Sequence, residues 1–100
     1  MPDSVKIRHI LIGTSNRDTA TAYALADSLQ KAIAKGSVFD SLAAKFSDDG
    51  GSKDKGGVYE SVYSGQMVPP FNEFIFLNPV GAKGIVKTEF GYHIIKRAGG

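Results

Sequence analysis

The chain has no cysteine among its 100 residues. This excludes a disulfide framework, a thiolate nucleophile and a cysteine zinc site. Its net charge is only +2, too small by itself to argue for nucleic acid or an anionic membrane surface as a partner. No apolar run approaches the roughly 20 residues that a membrane helix needs. The opening "MPDSVKIRHI" lacks the basic and apolar regions of a signal peptide. Repeats, low-complexity tracts and interdomain linkers are also missing. Histidine occurs only twice, as His9 and His93, far apart and without local ligand spacing, so no metal site is expected. No Gly-x-Ser-x-Gly turn announces a serine nucleophile.

What is present suits one globular domain: 42% hydrophobic and 22% charged residues, in a chain long enough to bury a core without staples. Strand-like sequence begins by about Val5 and the chain stops just after its last strand. The expectation is a single domain over residues 1–100, cut from a longer chain.

"VKIRHILI" (5–12) is β-rich and nearly alternating, which predicts a strand with Ile7, His9 and Leu11 on one face. Asp18 or Thr19 then caps a helix whose apolar stripe is Ala22, Leu25, Ala26, Leu29 and Ile33, stopped by Gly36. Ser37 with Asp40 resembles a capping box for a second helix, buried on Phe39, Leu42, Ala43 and Phe46. "SDDGGSKDKGG" is aperiodic and glycine-rich, a loop with at most one helical turn. "VYESVY" reads as a short strand. "GQMVPPFNEFIFLNPVG" reads as a turn and a short helix begun by Pro69 or Pro70 and ended by Asn78-Pro79. "GIVKTEFGYHIIKR" predicts two strands around a tight turn at residues 89–91, with His93 and Ile95 sharing a face. This order describes an α+β domain, one small sheet with helices over it.

Three stretches carry candidate chemistry. If the first and last strands are neighbours, His9 and His93 meet across them and form a paired imidazole site that titrates near neutrality; the plainer alternative is two satisfied core histidines. The loop fails as a calcium site, because Gly51, Lys53 and Asp54 stand where ligands and the obligatory glycine belong. Its glycines also lack the spacing of a phosphate or dinucleotide motif. It is a solvated turn, or it aims one carboxylate, Asp48 or Asp49, into a cleft. Met67 and Phe71 are core filler or line a shallow apolar pocket.

Taken together, "RHILI", "FDSLAAKFSDD" with "KGG", "GQMVPPFNEFIF" and "VKTEFGYHIIKR" resemble the parvulin family of peptidyl-prolyl cis-trans isomerases, in the family's order and over nearly the whole chain. The resemblance implies an FKBP-like α+β fold, a four-stranded, mostly antiparallel sheet surrounded by about four helices. It implies that His9 and His93 lie side by side with their ring nitrogens in a hydrogen-bonded network, to which Thr88 adds a hydroxyl. It implies that Asp49 points at the reacting peptide bond. By the same resemblance Met67 and Phe71 form the proline pocket, with Gln66 and Phe90 close by. Where the family continues "GGDLGWF" this chain has "GGVYESV", so the pocket leucine is replaced by Val58 or Tyr59 and the aromatic wall after it is lost or has become Val62.

Phospho-specific members carry a basic cluster after the first strand; "GTSNRDTA" holds one arginine, Arg17, too little to clamp a phosphate. The implied function is isomerisation of Xaa-Pro bonds in unfolded protein clients and proline-containing peptides, without phospho-specificity. Its rival is a catalytically weak peptide-binding module of a larger foldase. The implied setting is a SurA- or PpiD-type foldase of the bacterial periplasm or cell envelope. No cofactor, metal, nucleic acid or membrane contact is expected, and the isolated domain is expected to be monomeric.

Overall fold

The structure, a computed structural model, describes residues 4–99. Its elements run β1 (Ser4–Gly13), α1 (Thr19–Ala34), α2 (Phe39–Phe46), a 3-10 turn (Lys53–Lys55), β2 (Val58–Tyr63), α3 (Pro69–Leu77), β3 (Lys83–Thr88) and β4 (Gly91–Gly99). The four strands form one sheet in the order β2-β1-β4-β3. All three pairings are antiparallel, so the expected sheet is present without a parallel pair. The helical complement is three α-helices and the single 3-10 turn. No described helix is long and apolar enough to cross a membrane.

The central strands β1 and β4 are covered on both faces, and their sequences show why. In β1 the even positions Ile10 and Ile12 join Ile94 of β4 beneath Ala22, Ala26 and Leu29 of α1 and Ala43 of α2. The odd positions Val5 and Ile7 join Ile95 and Val62 beneath Phe71 and Ile75 of α3. Small residues on α1 let its axis approach the sheet closely, while α3 uses bulk. Gly84 accommodates that bulk: a Cβ there would sit 2.7 Å from the Phe74 ring.

Local signals place the helix ends. Asp18 caps α1 by accepting from the Thr21 amide at 2.7 Å. At the other end Gly36, at φ +105°, closes the helix: its amide bonds Ile33 and that of Ser37 bonds Ala32, the paired 5→2 and 6→1 bonds of a Schellman motif. The expected capping box on α2 does not form. Val38 is the N-cap, without a side-chain bond. Asp40 instead accepts from Arg8 Nη1 at 2.5 Å, tying α2 to β1.

The register matters most at β2. Val5 faces Val62 but Ile7 faces Tyr59, so two steps along β1 match three along β2. This bulge puts Tyr59 and Val62 on the same face despite their odd separation. Just before β2, the His9 amide donates to Gly57 O at 2.8 Å. A Cβ on Gly57, at φ +77°, would lie 2.4 Å from His9 O. The strands can approach here only because residue 57 is glycine. Gly57→Ala is therefore expected to cost at least about 2 kcal/mol, from the left-handed backbone and the clash together. Urea unfolding checks this; an unchanged midpoint would mean that β2 does not rely on the close approach.

Candidate active site

His9 and His93 are both buried, on the face of the sheet that α3 covers. They are diagonal neighbours across the β1–β4 ladder, since His9 faces Ile95 and His93 faces Leu11. Their rings stack at 5.6 Å between centroids with 21° between planes. Phe71 of α3 stands edge-on to both, 5.3 Å from His9 and 5.2 Å from His93. The expected network reaches outward from each ring: among the described residues neither Nδ1 atom has a partner, and each Nε2 is held from outside the pair.

For His93 that holder is Thr88, whose Oγ1 lies 2.7 Å from Nε2. The Phe90 amide donates to the same Oγ1 at 3.2 Å, and the hydroxyl keeps one proton and one lone pair with which to meet either tautomer of the imidazole. Burial, and then the neighbouring His9, push the His93 pKa down to about 4, so the ring is neutral at physiological pH. Burial also lowers His9, against the attraction of Asp49.

Asp49 reaches His9 because the segment before it is docked on β1. The Asp48 amide donates to Leu11 O at 2.8 Å, the Leu11 amide donates to Ser47 Oγ, and the Gly13 amide donates to the Asp48 carboxylate at 2.9 Å. These bonds continue the sheet edge beyond the end of β2. They leave Asp49 Oδ2 at 3.3 Å from His9 Nε2. The same oxygen accepts from Ser52 Oγ at 2.5 Å and from the Tyr59 hydroxyl at 2.6 Å. Burial pushes the Asp49 carboxyl up, but the Ser52 and Tyr59 bonds and the nearby His9 outweigh it and hold it below the usual carboxylate range. The site thus contains an ionised carboxylate beside two neutral imidazoles. Tyr59 is pushed up to about 12, by burial and then by the same carboxylate.

These groups open onto a cleft of about 370 Å³ lined by His9, Leu11, Asp49, Tyr59, Gln66, Met67, Val68, Phe71, Phe90 and His93. Of the ten site residues that the sequence suggests, eight line this cleft. Thr88 acts behind His93 and does not line it. Val58 is the one that the fold turns away: it pairs with Arg8, so Tyr59 takes the cleft side. Val62 is no part of the wall; it is buried against Val5 and α3. Ser52 was not anticipated. It is fully buried, and its spacing of three from Asp49 within a glycine-rich turn is the signal that could have marked it. Among the described residues no group of three His, Asp or Glu is arranged to hold a metal ion.

The neutral state of His93 has a consequence for stability. Below pH 6.5 the unfolded chain binds a proton at this ring, while the folded ring refuses it until about pH 4. Stability is therefore complete above pH 6.5 and falls as pH drops from 6.5 toward 4. The loss from this ring is about 3 kcal/mol at 1.36 kcal/mol per pH unit, with His9 acting in the same direction. Urea unfolding at pH 7 and pH 4.5 should show the decline, and His93→Phe should flatten it. Equal stability at the two pH values would contradict the neutral assignment.

Comparison with known proteins agrees with this geometry. Residues 1–98 match the family model described as the PPIC-type PPIase domain. The chain is 43% identical over 93 residues to the chaperone SurA of Chromohalobacter salexigens, which covers 91% of this chain and 21% of that protein. It superposes on the crystal structure of the peptidylprolyl isomerase PrsA from Bacillus anthracis with a TM-score of 0.82 and 33% identity, over 96% of this chain and 41% of that one. The solution structure of NmPin, the parvulin of Nitrosopumilus maritimus, matches with a TM-score of 0.79 and 34% identity over 99% of both chains. The chain thus spans about a fifth of the SurA relative's length and less than half of the PrsA chain. On the evidence of both fold and site, it belongs to the PPIC-type, or parvulin, family of peptidyl-prolyl cis-trans isomerase domains.

Proposed function

We propose that this domain catalyses rotation about unphosphorylated Xaa-Pro bonds in unfolded protein clients, as one unit of a longer foldase. One observation carries the reading: the apolar cleft of Met67, Val68 and Phe71 ends on an ionised Asp49 backed by two neutral imidazoles. That arrangement lacks an activated nucleophile but suits a reaction that breaks no bond.

The barrier to rotation, about 18–20 kcal/mol, is lost amide resonance, and uncatalysed exchange takes tens to hundreds of seconds. A gain of roughly 10³ to 10⁵ in rate needs only about 4–7 kcal/mol of preferential binding to the twisted amide. The twisted amide is less polar than the planar one, since charge no longer flows from nitrogen to carbonyl oxygen. A water-poor pocket for the prolyl ring between Met67 and Phe71 favours it. The Asp49 carboxylate adds to the difference by repelling the more negative oxygen of the planar form. His9, held against Asp49, and His93, held by Thr88, keep that carboxylate in place from a rigid floor. Gln66 and Phe90 border the entrance.

Arg17 supports the absence of phospho-specificity. Its guanidinium is engaged by Asp48 at 2.7 Å and by Gly13 O at 2.8 Å. The adjoining hollow is lined by Asp48 and Glu89 together with Thr14 and Ser15, a setting that repels a phosphate. Similarity to SurA and PrsA supports a coarse assignment to the bacterial cell envelope.

The test is a cis-to-trans exchange assay on an Ala-Pro peptide and its phosphoserine-Pro counterpart. Catalysis is expected on the first and weaker catalysis on the second, with a loss in Asp49→Ala and in His9→Ala. A folded domain that binds the peptide near Met67 and Phe71 without accelerating exchange would make this a recognition module instead.

A further inference from the structure

We propose that Tyr59 is a positioning residue: with Ser52 it pins one oxygen of the Asp49 carboxylate and leaves the other for the substrate. The proposal rests on the role assigned to Asp49 above.

Among the described residues, every hydrogen bond to that carboxylate ends on Oδ2. Ser52 donates at 2.5 Å and Tyr59 at 2.6 Å, with His9 Nε2 at 3.3 Å. One oxygen is saturated from three directions, so the plane of the carboxylate is set and Oδ1 is the atom free to meet a carbonyl. The neighbourhood is built to admit the phenol. A Cβ on Gly51 would stand 3.1 Å from the Tyr59 hydroxyl, closer than ordinary contact, so a side chain there would crowd the oxygen that reaches Asp49. The Tyr59 ring also lies 5.3 Å from His9 at 31° and lines the cleft. Its body is therefore a wall of the proline pocket and its tip is a tether for the carboxylate. Ser52 is itself held rigidly, its amide donating to Asp49 O and its carbonyl accepting from Lys55 and Gly57.

A pocket wall made of leucine, the residue the family pattern places in this stretch, has no such tip. The consequence is a division of labour that a mutation can separate. Removing the hydroxyl keeps the wall, and therefore substrate binding, but frees the carboxylate to rotate and take up a proton more readily. The titratable and charged groups around Asp49 are His9 on β1, His93 on β4, Tyr59 on β2 and the Asp48–Arg17 pair beside it; α3 presents apolar Phe71 on this side. The hydroxyl is the only one of these that Tyr59→Phe removes.

The experiment measures kcat and KM for an Ala-Pro peptide from pH 3.5 to 8 in the intact domain, Tyr59→Phe, Tyr59→Leu and Asp49→Asn, with the Asp49 carboxyl followed by NMR titration to still lower pH. Tyr59→Phe should lower kcat about tenfold, the scale of one hydrogen bond to a charged group, with KM nearly unchanged. Its acid limb and the Asp49 titration should both move to higher pH. Tyr59→Leu should add a rise in KM. If Tyr59→Phe matches the intact domain in kcat and in the Asp49 titration while Asp49→Asn is impaired, Tyr59 is only a wall and the proposal falls alone. Full activity in Asp49→Asn overturns the role of Asp49, and the proposal with it.

Discussion

The pairing of β1 with β4 in the middle of the sheet is the constraint on which the rest depends. Both strands carry buried residues on both faces, and each of those must be apolar or must be paired. Beside Arg97, whose Nη1 donates to Asn78 O, His9 and His93 are the exceptions on the face under α3. They are tolerated because each Nε2 finds a partner and because both rings stay neutral. The ladder register brings them to a ring separation of 5.6 Å, and Phe71 packs against both at once. The same helix that closes the core therefore forms the wall of the cleft, and stability and function share one set of contacts.

Charge in the site is confined to its edge. The imidazoles sit deep, where desolvation holds them neutral, and the carboxylate sits at the rim, where hydroxyl donors can keep it ionised. An ionised imidazole beside Asp49 would cancel the charge that distinguishes the planar amide from the twisted one. On the proposed mechanism the low pKa of His93 serves the reaction, and the loss of stability on acidification is its thermodynamic counterpart. The cation in the loop after β1 is engaged by Asp48, where it helps dock the segment that carries Asp49, and this supports the proposed lack of phosphate recognition.

Much of the fold could be read along the chain because its signals are local. Asp18 and Gly36 bracket α1, and Pro69 opens α3, since caps and proline act on the few backbone groups beside them. The stripe of α1 and the two-sided apolar run of β1 identify buried faces. The capping box at Ser37 and Asp40 misled for a physical reason. A carboxylate three residues into a helix competes for any nearby cation, and Arg8 across on β1 offered a stronger bond than the backbone did. Ser52 escaped notice because a serine in a polar, glycine-rich loop carries no sign of burial.

By itself, then, the sequence determined the element types and the identity of the groups that meet in the site: two histidines at alternating-strand positions, a carboxylate in a loop, and methionine and phenylalanine at the start of a short helix. It left open whether Val58 or Tyr59 faces the cleft, and alternation counted back from buried Val62 points to Val58. The tertiary structure decided for Tyr59, because a bulge between Val5 and Ile7 matches three residues of β2 to two of β1 and reverses the alternation. A bulge is a property of two strands in register and of the close approach that Gly57 permits. No local propensity within "VYESVY" encodes it, and the bond from Tyr59 to Asp49 exists only because of it.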